Sequence, residues 1–284
     1  MQVIQDPKLL RMAIRDIKQQ GQQVSFIPTM GNLHQGHLTL VKEGQQHADV
    51  SVVSIFVNPL QFNNANDLAN YPKTLEEDCA KLQQAGVDIV FTPSAEVIYP
   101  NGLNAQTFVE VPGVSDCLEG ELRPGHFRGV STIVAKLFNL VQPDVACFGE
   151  KDFQQLCVIK QMVTDLAMPI NIIPVATVRE PSGLAMSSRN GKLSADEKLI
   201  APKIAKVMNQ LGQQLPLNWG SYKQLIKDAS QTLDQLGFKT DKIHVVDPIT
   251  LAPLTADSKQ AVVLMAAFLG ETRLIDNLVV DLHP

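Results

Sequence analysis

The sequence predicts an α/β protein: residues 1–176 build a parallel β-sheet covered on both faces by helices, and residues 177–284 form a smaller α+β domain. Three observations carry this reading. Apolar runs alternate with helix-patterned segments through the first part of the chain, the order of strand–helix–strand units. Those runs are nearly continuously apolar rather than alternating, as in strands buried on both faces. Near Val178 the composition changes to a polar, glycine-bearing stretch, followed by a different order of elements.

Taken in order, strands are expected at 24–28, 51–57, 87–92, 145–148 and 170–175. The second is the β-branched run Ser51-Val52-Val53-Ser54-Ile55-Phe56-Val57, which suits a fully buried strand. Helices are expected at 9–20, 38–48, 75–85, 130–141 and 153–166, where apolar residues recur at helical spacing. Beyond the polar connector, helices are expected at 194–211 and 222–236, and strands at 242–246, 261–268 and 273–280. Gly270-Glu271-Thr272 predicts a hairpin between the last two strands.

Composition narrows the function classes. With 284 residues, 45% apolar and 19% charged, the chain reads as an ordinary globular protein of one large or two moderate domains. A formal charge of −5 argues against nucleic-acid and anionic-membrane partners, which select a basic face. No apolar run approaches the ~20 residues that span a bilayer. Residues 1–6 lack the basic and apolar regions of a signal peptide. Cys79, Cys117, Cys147 and Cys157 form no C-x-x-C pair and no zinc spacing. Unpaired thiols without an export signal predict the cytoplasm.

Four segments carry candidate chemistry. In Pro28-Thr29-Met30-Gly31-Asn32-Leu33-His34-Gln35-Gly36-His37, two histidines follow a strand and a glycine turn and open a helix. A helix N-terminus presents unpaired N–H groups and partial positive charge, so it attracts anions, and two imidazoles there add donors for a phosphate. A metal pair or plain surface histidines are the alternatives. Asn58-Pro59-Leu60-Gln61-Phe62 follows the 51–57 strand and offers two amides, suited to hydroxyls and carboxylates or simply closing a turn. Phe148-Gly149-Glu150-Lys151-Asp152-Phe153-Gln154-Gln155 follows the 145–148 strand. There Gly149 permits close backbone approach, Lys151 supplies a charge for phosphate, and Asp152 suits ribose hydroxyls or a helix cap. Met186-Ser187-Ser188-Arg189-Asn190 brings two hydroxyls and a guanidinium that suit a polyphosphate, or else forms a serine-bearing linker.

In this order, these four segments resemble the pantothenate synthetase (pantoate–β-alanine ligase) family. Tyr71-Pro72-Lys73-Thr74, Arg123-Pro124-Gly125-His126-Phe127-Arg128-Gly129-Val130 and Thr272-Arg273-Leu274-Ile275-Asp276-Asn277 add to the likeness, which covers essentially the whole chain. Asn32, Gln35 and Phe153 depart from the family's usual residues without removing a group the chemistry needs. The resemblance implies a Rossmann-like nucleotidyltransferase domain over 1–176, the smaller domain carrying the Met-Ser-Ser-Arg loop, and a homodimer. It implies condensation of (R)-pantoate with β-alanine through a pantoyl-adenylate, with ATP giving AMP and pyrophosphate and Mg2+ accompanying ATP.

The same resemblance implies the residue roles. His37 and His34 are the catalytic pair. ATP is met by Met30, Gly31, His34, His37, Gly149, Lys151, Asp152, Val178, Met186, Ser187, Ser188 and Arg189. Gln61 and Gln155 hold pantoate, Gln61 also meets β-alanine, and Glu77 or Asp78 is a metal-ligand candidate unless that helix face is simply solvated. A sister nucleotidyltransferase, a non-catalytic nucleotide sensor and a His34–His37 metal module are the competing readings.

Overall fold

The computed structural model describes residues 1–217 and 219–282. The chain forms two compact units, Met1–Val175 and Ala176–Pro284. In the first unit the strands are β1 (Gln2–Ile4), β2 (Val24–Thr29), β3 (Val50–Ile55), β4 (Ile89–Phe91), β5 (Val145–Gly149) and β6 (Asn171–Val175). They form one sheet in the order β1-β4-β3-β2-β5-β6, and every pairing is parallel. The long helices are α1 (Pro7–Gln19), α2 (Gln35–His47), α3 (Leu75–Gln84), α4 (His126–Val141) and α5 (Phe153–Asp165).

The central strands show why this sheet forms. Val24, Phe26 and Ile27 of β2 and Val52 and Val53 of β3 are all fully buried, and burying each such side chain contributes about 1.5–3 kcal/mol. The chain runs outward from β2 through β3 to β4, then returns to place β5 on the other side of β2. The switch point therefore lies between the carboxyl ends of β2 and β5, where ligands bind in open α/β sheets.

The second unit contains the antiparallel strands β7 (Lys239–Val246), β8 (Gln260–Leu269) and β9 (Thr272–Asp281). Against them lie α6 (Ala195–Ile200), α7 (Lys203–Gln214) and α8 (Tyr222–Gln235), with Ile204, Met208, Leu215 and Leu233 in one apolar core with Val263 and Met265. Leu269 pairs with Thr272 around Gly270, whose φ of 54° supplies the positive angle of a two-residue hairpin.

Three expectations need correction. The single helix over 194–211 is two helices, because Pro202 has no N–H and its ring clashes with the preceding turn. The fourth helix begins at His126, four residues earlier than the apolar spacing indicated. Residues 2–4, given no element, form the edge strand β1 beside β4; three residues are too short for a period-two pattern to register.

Candidate active site

The turn after β2 is built around a buried carboxylate. Thr29 Oγ1 donates to Ser54 O at 2.7 Å and closes the strand. Gly31 then takes φ 82°, and a Cβ there would stand 3.1 Å from Asp78 Oδ2 and 3.2 Å from Ile55 Cγ2. Asp78, on α3, is fully buried. Its oxygens accept from Asn32 N and Leu33 N at 2.8 Å and from Thr74 Oγ1 at 2.9 Å. Lys81, one turn later on α3, donates to Leu33 O at 2.8 Å. Helix α3 thus fixes the backbone that delivers His34.

His34 is the N-cap of α2 and His37 its third residue, and the two rings cap the helix reciprocally. His34 Nδ1 accepts from Gly36 N at 3.1 Å, and His37 Nδ1 accepts from His34 N at 3.2 Å. An Nδ1 that accepts carries no proton, so each neutral ring carries its proton on Nε2. The ring centroids lie 4.1 Å apart. Burial lowers the His37 pKa to about 4, with the His34 charge acting in the same direction. Burial, then the Lys151 charge, lowers that of His34. Near neutral pH the helix start therefore presents two uncharged N–H donors.

At the end of β3, Asn58 is buried rather than a surface turn amide. Its Nδ2 donates to Gln61 Oε1 and to Gly129 O, each at 3.1 Å, and its Oδ1 accepts from Tyr99 Oη at 2.7 Å. That assignment turns the Gln61 NH2 outward, where it lies 3.1 Å from Met30 Sδ. His126 Nδ1 meets Gln61 O at 2.8 Å; a carbonyl only accepts, so His126 holds its proton on Nδ1, the opposite tautomer from the α2 pair. Burial, and then the Arg123 charge, lowers its pKa to about 4.

At the end of β5, Gly149 leads into a helical turn over Glu150–Asp152 and then α5. Lys151 Nζ stands 3.9 Å from Asp152 Oδ1, and both charges act on both imidazoles of α2. Asp152 occupies the N-cap of α5 but its carboxylate makes no capping bond. Gln155 is half-buried. The buried amide is that of Gln154, which donates to Val114 O and Cys117 O at 2.9 and 2.8 Å and accepts from Glu119 N at 3.1 Å.

In the second unit the 178–190 stretch folds into a hairpin and a helical turn rather than a plain linker. Met186 N donates to Val178 O at 2.9 Å and Glu180 N to Leu184 O at 2.8 Å, making a short hairpin. Ser187 Oγ accepts from Arg189 N at 3.2 Å and caps the turn Ser188–Lys192. Ser188 is half-buried and Arg189 exposed.

The first unit thus gathers Met30, Gly31, His34, His37, Gln61, Gly149, Lys151 and Asp152 around the carboxyl ends of β2, β3 and β5, whereas Val178, Met186, Ser187, Ser188 and Arg189 belong to the second. The metal-ligand candidacy of Asp78 needs correction, as does its alternative of a solvated face: the carboxylate is buried and taken up by two N–H groups and a hydroxyl. Glu77 is exposed, and no group of three or more metal-ligating side chains occurs among the described residues. The anchoring roles of Asp78, Tyr99, His126 and Gln154 were not read from the sequence, since a buried polar anchor has no periodicity. Only the Thr74–Asp78 spacing of four on a helix start hinted at one.

Uncharged donors on a helix N-terminus, at the switch point of a parallel sheet and beside a lysine, define a protein of nucleotidyltransferase-like fold that handles phosphoryl groups. The model of the family "Pantoate-beta-alanine ligase" matches residues 2–279. The pantothenate synthetase of Psychromonas ingrahamii is 66% identical over 100% of this chain and 98% of its own length. That of Vibrio cholerae is 59% identical, over 100% and 97%. Among solved structures, a pantothenate synthetase from Thermus thermophilus superposes with TM-score 0.89 at 41% identity over the whole of both chains. A pantoate-beta-alanine ligase from Francisella tularensis, complexed with beta-gamma ATP and beta-alanine, gives 0.83 at 36% identity over 98% of this chain and 97% of its own. The chain belongs to the pantoate–β-alanine ligase family.

Proposed function

We propose that the chain joins pantoate to β-alanine at the expense of ATP, with His34 and His37 stabilising the charge that grows on the α-phosphate. The observation that carries this is the use of both Nδ1 atoms inside the helix cap, which leaves two preorganised Nε2–H donors at an anion-attracting helix start. A pantoate carboxylate oxygen attacks the α-phosphorus, the bond to the bridging oxygen breaks, and pyrophosphate leaves. The amine of β-alanine, as free base, then attacks the pantoyl carbonyl carbon; AMP departs and the amine loses a proton. The carboxylate needs no base near neutral pH, so the histidines act as donors.

Met30, Gly31 and Gly149 line the nucleotide, Lys151 takes its phosphates and Asp152 its ribose hydroxyls. Val178 and Met186 meet adenosine, and Ser187, Ser188 and Arg189 hold the leaving pyrophosphate. Gln61, offering its NH2, and Gln155 hold pantoate, and Gln61 also meets β-alanine. Mg2+ would accompany ATP and offset its phosphate charge; Asp78 and Glu77 give it no ready ligand pair. The chain works as a cytoplasmic homodimer, the assembly and compartment that the family resemblance and thiol usage imply.

The deciding assay incubates the protein with ATP and pantoate, with and without β-alanine. AMP released in amounts beyond the enzyme only when β-alanine is present supports the ligase. A product that keeps its nucleotide marks a sister nucleotidyltransferase instead.

A pH profile follows from the tautomers. The His37 pKa of about 4 in the folded chain lies below the ordinary histidine value. The kcat/KM for adenylation, which reports the free enzyme, is therefore expected to lose no activity to His37 between pH 7 and 5 and to fall only near pH 4. The stability linkage has the same sign: a lowered histidine pKa leaves the fold at full stability above about 6.5 and weakens it as pH falls towards 4. An activity midpoint near 6.5 that disappears in His37→Gln would overturn the neutral-donor assignment.

A further inference from the structure

One polar contact set of the second unit that the reaction scheme does not use lies beside the 187–189 segment. Arg179, on the first strand of the 178–186 hairpin, forms a two-pronged pair with Asp276 of β9: Nη1 to Oδ2 at 2.7 Å and Nη2 to Oδ1 at 2.9 Å. The same Nη1 donates to Gly183 O at 3.1 Å, in the hairpin turn. The Asp276 side chain is fully buried, and its Oδ1 also accepts from Asn277 N at 2.9 Å. At the other end of the loop, Asn190 is buried and donates through Nδ2 to Glu180 Oε1 at 2.9 Å and Ala185 O at 3.1 Å. Between the hairpin's last backbone bond, at Met186, and Asn190 lie Ser187, Ser188 and Arg189.

We infer that Asp276 is a positioning residue which, through Arg179 and together with the Asn190 tie, holds Ser187, Ser188 and Arg189 in the geometry that receives the phosphates of ATP. This rests on the reading of those three residues as phosphate-binding. A buried ion pair is a poor source of net stability, because desolvation offsets its attraction. Its planar, two-pronged geometry does fix direction. Asp276 sits within a strand paired along its whole length, so its carboxylate is a rigid reference point. The hairpin bearing Arg179 has only two backbone rungs of its own. A loop held this way meets a polyphosphate already ordered, and less of the binding energy goes into arranging it.

The test is a double variant, Arg179→Met with Asp276→Leu, which replaces the pair by apolar side chains of similar length. The expected result is a cooperative unfolding transition near that of the parent, a KM for ATP raised about tenfold or more, and a KM for pantoate changed less than about twofold. Arg189→Ala is made in both backgrounds. In the parent it raises the KM for ATP; in the untied background its effect shrinks, because the guanidinium is no longer held in place. An Arg189→Ala effect of equal size in both backgrounds, or an untied variant with the parent's KM for ATP, overturns the inference. If Arg189→Ala leaves the KM for ATP unchanged in the parent, the phosphate-binding reading of the loop fails, and the tie inference falls with it. Should the double variant not fold, Arg179→Lys replaces it: lysine keeps the charge but only one prong, so the KM for ATP rises about threefold, and an unchanged value overturns the inference.

Discussion

His37→Ala is expected to slow the first half-reaction by about 10²–10³-fold, the scale of losing one donor, about 3 kcal/mol, that acts on charge formed in the transition state. The measurement is pyrophosphate release in a single turnover with ATP and pantoate saturating. The alanine variant removes two things at once, the Nε2–H donor and the Nδ1 acceptor that caps His34 N. Two further variants separate them. His37→Glu restores an acceptor at the third helical position, the usual partner in a capping box, but offers no donor. It should unfold at nearly the parent temperature and still lose the rate. His37→Gln offers both an acceptor and an NH2, so it should retain more activity than either. Unchanged pyrophosphate release in His37→Ala removes the histidine from the mechanism. A rate that recovers fully in His37→Glu makes its role one of helix capping alone.

The largest effect on the fold is expected from Asp78→Ala. Truncation leaves the Asn32 and Leu33 amides and the Thr74 hydroxyl without their acceptor, a carboxylate that is itself fully buried. Stranding such donors costs about 3–5 kcal/mol in total, which for a chain of this size corresponds to roughly 10 °C in melting temperature. The turn that delivers His34 also loses its brace, and a displacement near 1 Å at a catalytic group costs about 10²-fold in rate. Asp78→Asn keeps one oxygen for these donors but turns an NH2 towards the others, so it should fall between parent and alanine. Denaturant midpoints and single-turnover rates measured side by side check both effects. A midpoint for Asp78→Ala within error of the parent would falsify the bracing role.

The sequence carried the layered part of the fold because that part obeys a repeating rule. The 24–28 and 51–57 runs are apolar without alternation, and both became central parallel strands with fully buried valines. The helix opening at His34 was legible from a glycine turn followed by amphipathic spacing. What escaped notice depended on single contacts between distant segments. Asp78 lies in a run of three acids that reads as a solvated face, and only the fold turns one of them inward onto a turn 45 residues earlier. Gln154 and Gln155 are indistinguishable in sequence, yet the former is buried on the backbone of 114–119 and the latter is half-buried. The histidines were seen as donors, but their capping of one another, which fixes the tautomers, rests on contacts between ring and backbone that spacing alone does not supply. Pro202 was in plain view; the apolar period simply continued across it.

The six-stranded sheet ends in two edge strands, and both are poor templates for another chain. On one side stands β1, only three residues long. On the other, β6 carries Pro174, which has no N–H to lend to an incoming strand. A concentrated or partly heated preparation is therefore protected from edge-to-edge polymerisation of this sheet by its own outline. Aggregation, when it comes, should begin from loosened helices and not from the sheet's rim.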